Sequence, residues 1–301
     1  MKEKLLFIHD IDVQNKGEGP YVGSVKQYNL ENNISLDPYE IIMGDVNAVK
    51  KIQDKIGEIP LLREFLIDMT TSKLDEEASK KAREQYLDFI VRTFTDARIA
   101  PYISELFIGG KIKNDKNLDA TLGKLMQVEN VAKVVSVSSL AKNKEDFRAV
   151  CEKVKSAGCG MQLMLDVEKT ESGIYLLRND PDTDPLKLAL QSQEIANGIF
   201  GDNMLPVQFS LVKKAGMTSG PDYEFLKLLQ KEYSNKLTGE IAYSGGLELN
   251  ASQVISLLKD YPIIQRVGIG KVLNETPQEE KQVFFTSIIE SQKSIGGELK
   301  I

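Results

Sequence analysis

The stretch "IAYSGGLELNASQVISLLKDYPIIQRVGIGKVL", residues 241–273, decides the fold. An apolar run ends in Ser244-Gly245-Gly246, a segment at helical period follows, and a second apolar run ends in Gly268-Ile269-Gly270. Glycines that close a buried run mark a tight turn, or a backbone that something approaches closely. Strand, helix and strand in that order form one parallel βαβ unit.

The same alternation extends outward through the chain. Strand patterns occupy 4–13, 64–69, 103–110, 131–139, 159–167, 205–212, 239–246 and 264–270. Between them, apolar residues recur three and four apart at 75–97, 143–158, 184–198, 222–235 and 251–261. Asn143, Asp184 and Asn250 stand where helix caps belong. Eight such units predict a closed (β/α)8 TIM barrel in a single α/β domain over residues 1–301. An open doubly wound sheet is the alternative arrangement of the same elements.

An internal repeat of about half the chain favours the barrel. "ELFIGGKIKNDKNLDATLGKLMQVENVAKVVSVSSL" in the first half matches "EIAYSGGLELNASQVISLLKDYPIIQRVGIGKVL" in the second. "FIHDIDV" likewise matches "QLMLDVE", so Asp12 and Asp166 each follow an apolar run and precede Val. In a barrel the repeat places two Gly-Gly turns on opposite sides of one mouth, with an aspartate from each half between them. The segments 15–33 and 168–184 follow those aspartates and read as long loops of the kind that form active-site lids.

A net charge of -6 argues against a general nucleic-acid binder, because no excess of Lys and Arg exists to neutralise phosphates. The start "MKEKLLFIHDID" is too short and too charged in its apolar run for a signal peptide or membrane span, so a cytoplasmic protein is expected. The only two cysteines, Cys151 and Cys159, lack the spacing of a zinc site and read as reduced and structural. His9 is the only histidine and, if Asp12 points inward, faces the surrounding helices. No histidine-based triad, metal site or cofactor site is therefore expected.

Gly-Gly turns that lead into a helix expose backbone N–H groups suited to phosphate oxygens. Ser244, Gly245 and Gly246, with Gly270 and Lys271, follow strand patterns seven and eight, where barrels commonly hold phosphate. Gly109 and Gly110, with Ser138 and Ser139, form their mirror after strands three and four. Two facing phosphate sites imply a small-molecule substrate with a phosphate at each end. Asp12 and Asp166 are then candidates for an acid–base pair, since strand-end carboxylates in a partly desolvated mouth can have their pKa values pushed apart. The competing reading is that the glycines serve turn geometry and the aspartates cap helices.

These residues resemble the histidine-biosynthesis barrels: the phosphoribosylformimino-aminoimidazole-carboxamide ribotide isomerase and its sister, the imidazole glycerol phosphate synthase cyclase subunit. "DIDV", "FIGGKIKNDKNLDATL", "MLDVEK", "KAGMTSGPDYEFLKLL" and "AYSGGLELNASQVISLL" followed by "VGIGKVL" carry the resemblance, in order, over nearly the whole chain. It implies a barrel of the ribulose-phosphate-binding type with a half-barrel internal repeat. It also implies an Amadori rearrangement of a phosphorylated aminoaldose, with Asp12 as base and Asp166 as acid. Lys26 falls where either enzyme places a basic residue on its first loop, and Gly220 lies in the isomerase-like "SGPD". "DMTTS" (68–72) and "VSVSS" look more like the cyclase, which would imply ring closure with ammonia and a docked glutaminase. Ala215-Gly216-Met217 stands where the family carries Asp-Gly-Thr, and Leu211 at an acidic position, so a diverged sugar-phosphate-binding paralogue is a third reading.

Overall fold

The strands of the computed structural model are, in chain order, β1 (Phe7–Asn15), β2 (Pro20–Lys26), β3 (Asn29–Leu36), β4 (Leu62–Thr70), β5 (Ile103–Ile108), β6 (Ala132–Val137), β7 (Gly160–Lys169), β8 (Tyr175–Leu177), β9 (Val207–Leu211), β10 (Ile241–Ser244) and β11 (Arg266–Ile269). The α-helices are α1 (Pro38–Ile56), α2 (Glu76–Phe94), α3 (Lys116–Leu125), α4 (Lys144–Ser156), α5 (Pro185–Phe200), α6 (Tyr223–Tyr233), α7 (Ala251–Asp260), α8 (Lys271–Glu275) and α9 (Gln278–Ile295). The structure describes residues 7–15, 20–26, 29–56, 62–70, 76–109, 112, 116–178, 180–201, 205–214 and 219–295.

Eight of these strands form a closed parallel ring in the order β1, β4, β5, β6, β7, β9, β10, β11. Closure is made by β1 and β11, with Phe7 level with Val267, Ile8 with Gly268 and His9 with Ile269. That contact excludes the open doubly wound sheet and gives the expected (β/α)8 barrel. All eight strand patterns read from the sequence become ring strands. They read as near-continuous apolar runs because both faces of a barrel sheet are covered.

Alternation along each strand separates two apolar layers. In β9, Phe209 faces outward and meets the ring of Phe225 on α6 edge-on, with centroids 5.5 Å apart. The large core between sheet and helices contains Leu106, Val135, Leu163, Phe209 and Tyr243. A second, small cluster of Phe107 and Ala242, with Val134 and Met164 against it, lies apart from that core. The Arg266 guanidinium is buried over the Phe107 ring, 5.2 Å from its centroid, and pairs with Glu240 at 2.5 Å. Arg266 opens β11 and Glu240 immediately precedes β10, so both charges lie at the end of the barrel associated with stability.

The half-barrel repeat is visible in the topology. β1 and β7 hold the first and fifth places in the ring, and each continues into an antiparallel partner, β2 and β8 respectively. The expected long loops are thus corrected in part: β2 and β3 pair with each other in the first segment, and β8 pairs with β7 in the second. Backbone N–H and C=O groups that leave the barrel rim find partners in these hairpins. The apolar spacing of Val22, Val25 and Ile34 was masked by intervening Gly, Asn and Glu.

Local signals at the helices behave as expected. The Asn143 side chain accepts from the N–H groups of Glu145 and Asp146, Asp184 from those of Leu186 and Lys187, and Asn250 from that of Gln253. The first and last long helices close the outer layer. There the Lys281 ammonium of α9 lies 2.6 Å from the Asp45 carboxylate of α1, both side chains almost wholly buried.

Cys151 and Cys159 are free and buried. Burial pushes the Cys151 thiol up to about 12 and raises that of Cys159. Neither thiol is expected to react with an alkylating agent in the native protein near neutral pH, while both should react once the chain is unfolded. Mass spectrometry of labelled native protein checks this; rapid native labelling of Cys151 would contradict the burial. Among the described residues, no helix is long and apolar enough to cross a membrane.

Candidate functional site

The C-terminal ends of the ring strands bring most of the sequence candidates to one mouth. Asp166, half-buried on β7, is level with Ser210 on β9, which is level in turn with Ser244 on β10. The Asp166 carbonyl accepts the N–H of Arg178 at 2.9 Å, where the chain returns past β8. Across the ring, Asp12 of β1 is level with Asp68 of β4. The Asp12 side chain lies outside the described residues, as do those of Lys26, Ser139 and Lys271, and Gly110 as a whole.

A chain of buried polar side chains runs beneath the mouth. Gln162 Nε2 donates to Gln208 Oε1 at 3.1 Å, Gln208 Nε2 to Ser244 Oγ at 3.3 Å, and Ser244 Oγ to Ser210 Oγ at 2.9 Å. Each link satisfies a group whose burial would otherwise be costly. The links also polarise one another in the low-dielectric interior. Of these four residues the sequence reading found only Ser244. The available signal for Gln208 and Ser210 was polar residues at alternate positions in the otherwise apolar "VQFSL".

The glycines of the opening stretch have a defined structural cause. Gly245 and Gly246 have φ values of 118° and 78°. A Cβ on Gly245 would meet the Leu211 carbonyl oxygen at 2.8 Å, and one on Gly246 the Gly220 carbonyl oxygen at 2.2 Å. The turn is thus seated on the β9–α6 connection, where the Gly246 N–H donates to the Lys214 carbonyl at 2.9 Å. Gly220 has a φ of 81°. Gly246→Ala is expected to destabilise the protein by about 1–3 kcal/mol through the left-handed backbone alone, with the clash adding to it. Urea unfolding measures this, and an unchanged midpoint would refute it. A loss of ligand binding in any Gly246 variant therefore reports folding as well as contact.

The helix after this turn differs from expectation. α7 begins at Ala251, and its first turn is closed by its own chain, with Gln253 Oε1 accepting from the Glu248 N–H and Asn250 Oδ1 from the Gln253 N–H. The five-residue α8, by contrast, starts at Lys271 directly after β11, and its N-cap, Gly270, has no side chain to cap it. A short extra helix after the eighth strand is where this fold frequently holds phosphate. On the mirror side Gly109 is buried after β5, and the exposed Ser138 does not cap the turn that follows β6.

The β7–β8 hairpin is strapped to the neighbouring loop. Tyr175 donates to the Asp222 carboxylate at 2.9 Å, and Asp222 Oδ1 also accepts from the Phe225 N–H, which caps α6. The Asp222 N–H donates to the Tyr243 hydroxyl at 2.7 Å. Burial raises the Tyr175 and Tyr243 phenols far above their ordinary value, so both stay protonated. Lys169 pairs with Glu224, and Lys213 with Glu168 at 3.3 Å. The second of the two segments expected as lids is thus tied, through Tyr175, Lys169 and Glu168, to the β9–α6 connection and α6. Among the described residues, no group of three or more His, Cys, Asp or Glu could hold a metal ion.

No protein-family model matches the chain. No curated protein matches its sequence. Solved structures do match in fold. One is the tryptophan synthase alpha chain from Legionella pneumophila, 11% identical, with a TM-score of 0.51, covering 97% of this chain and 93% of that one. Another is a chain of the tryptophan synthase complex from Pyrococcus furiosus, 12% identical, with a TM-score of 0.50, covering 98% of this chain and all of that one. At these identities the likeness concerns the barrel and not its chemistry.

Proposed function

We propose that the chain is an isomerase of the ribulose-phosphate-binding barrel type, carrying out an Amadori rearrangement of a phosphorylated aminoaldose ribotide. The observation that carries this reading is the placement of Asp12 and Asp166 on ring strands one and five, half a barrel apart at one mouth. Carboxylates on opposite sides of a bound sugar can serve one as acid and one as base without metal or cofactor. Asp166 would protonate the ring oxygen as the C1–O bond breaks and the nitrogen lone pair forms C1=N. Asp12 would remove the C2 proton to give the enolamine. Reprotonation at C1 and formation of the C2 carbonyl then complete the aminoketose, with no net gain or loss of protons.

Gly270, at the end of the eighth ring strand, lies where this fold frequently holds a phosphate, which supports one on that side of the mouth. Ser138, exposed after β6, offers a hydroxyl on the other. Ser210 and Ser244 place hydroxyls beside Asp166, suited to an oxygen-rich ligand. The test is a spectroscopic turnover assay of the purified protein on the aminoaldose bisphosphate ribotide, with Asp12→Asn as control. Turnover lost in the variant supports the reading. Saturable binding without turnover would move the protein to a diverged sugar-phosphate-binding barrel, and ammonia-dependent ring closure to the cyclase. Absence of binding would sink the phosphate reading altogether.

A further inference from the structure

We propose that Lys214 is the side-chain cation that grips one phosphoryl group of the ligand on the β9–β10 side of the mouth. The proposal rests on the phosphate-binding reading of this mouth and adds a residue and a ligand class to it: a phosphomonoester dianion held by charge as well as by backbone N–H groups.

Its first support is position. Lys214 ends the single 3-10 turn, Val212–Lys214, that leaves β9. Its carbonyl accepts the Gly246 N–H, and its Cβ lies 3.3 and 3.4 Å from where Cβ atoms on Gly245 and Gly246 would stand. The base of the lysine stem therefore lies against the Gly-Gly turn, and the side chain is half-buried. A lysine can cover apolar or backbone surface with its stem and keep its ammonium at the solvent edge of a site.

Its second support is charge. The segment from Phe209 to Pro221 contains Lys213 and Lys214 and no acidic residue. The carboxylates around it have other partners: Glu168 pairs with Lys213, Glu224 with Lys169, and Asp222 accepts from Tyr175 and the Phe225 N–H. Lys213 is held twice, by Glu168 and by the Lys169 carbonyl at 2.8 Å. The Lys214 ammonium meets, among the described residues, only the Ser219 hydroxyl at 3.3 Å. An ammonium carries three donors, and one long bond to a neutral oxygen leaves most of that capacity and all of the charge uncompensated. A compact point charge of this kind suits phosphate oxygens. Two adjacent lysines thus divide their work, Lys213 fastening the hairpin and Lys214 facing the ligand.

The experiment uses full-length protein and two probes, inorganic phosphate followed by 31P line broadening and the ribotide followed by turnover. Lys214→Met and Lys214→Gln are compared with Lys213→Met, after circular dichroism shows that each is folded. We expect both Lys214 variants to weaken phosphate binding about tenfold and to raise KM with kcat little changed, since a uniform ground-state contact is lost. The dependence of binding on ionic strength should also fall. Lys213→Met should bind phosphate as the native protein does. Equal phosphate affinity in native and Lys214 variants would overturn the proposal whatever the turnover assay shows. Weakened phosphate binding without ribotide turnover in any form would keep Lys214 and discard the isomerase. No phosphate binding by the native protein would remove both.

Discussion

Asp166→Asn is expected to lower turnover of the ribotide by about a hundred- to ten-thousand-fold, the usual range for removing a positioned general acid. The amide keeps the size and shape of the carboxyl group but can neither give nor take the proton. The fold should survive. Asp166 is only half-buried, and its fixed contacts on β7 include backbone bonds that the substitution leaves in place, among them the carbonyl that accepts from Arg178. kcat and kcat/KM should therefore fall together with KM little changed, because the interaction lost is made in the transition state. A bell-shaped dependence of the native rate on pH should lose one limb in the variant. Activity within threefold of native would show that Asp166 moves no proton in this reaction.

Lys281→Met is expected to cost about 3–5 kcal/mol of stability, because it leaves the wholly buried Asp45 carboxylate without its cation. Methionine matches the stem in length, so the loss reports the charge and not a cavity. The pair joins α1 to α9, the first and last long helices. The loss is thus placed where the outer layer closes, and it would remove a large share of the 5–15 kcal/mol typical of a folded domain, as an order of magnitude. Urea unfolding of the single variant and of Asp45→Leu combined with Lys281→Met separates charge from packing. The double variant should recover much of the loss, since replacing both ions by apolar groups is often close to neutral. A single variant destabilised by less than about 1 kcal/mol would show that water or another group already serves Asp45.

Most of the barrel was legible in the sequence because its signals are local. A ring strand is covered on both faces, so each of the eight left an apolar run, and a helix end must satisfy its own N–H groups, so Asn143, Asp184 and Asn250 announced themselves. The β2–β3 hairpin was less legible because its apolar residues are spaced by Gly, Asn and Glu, a composition shared with loops. At the site, strand-end aspartates and Gly-Gly turns stood out as residue types. Gln162, Gln208 and Ser210 did not, because a buried polar residue reads as an exposed one until its partner is known. Those partners sit 46 and 34 positions away along the chain.

The sequence by itself thus determined the number, order and parallel sense of the eight ring strands, the half-barrel repeat, and the two aspartates and glycine turns set at matching places in it. The tertiary structure decided what those features touch. Closure of β11 on β1 turned a repeat into two faces of one mouth. The approach of the Gly220 carbonyl showed that Gly246 is required for close packing, and the bond from the Gly246 N–H to the Lys214 carbonyl set Lys214 against the glycine turn. Periodicity and capping depend on neighbours a few residues apart, which the sequence displays. Close approach and charge compensation depend on groups that meet only once the chain has folded.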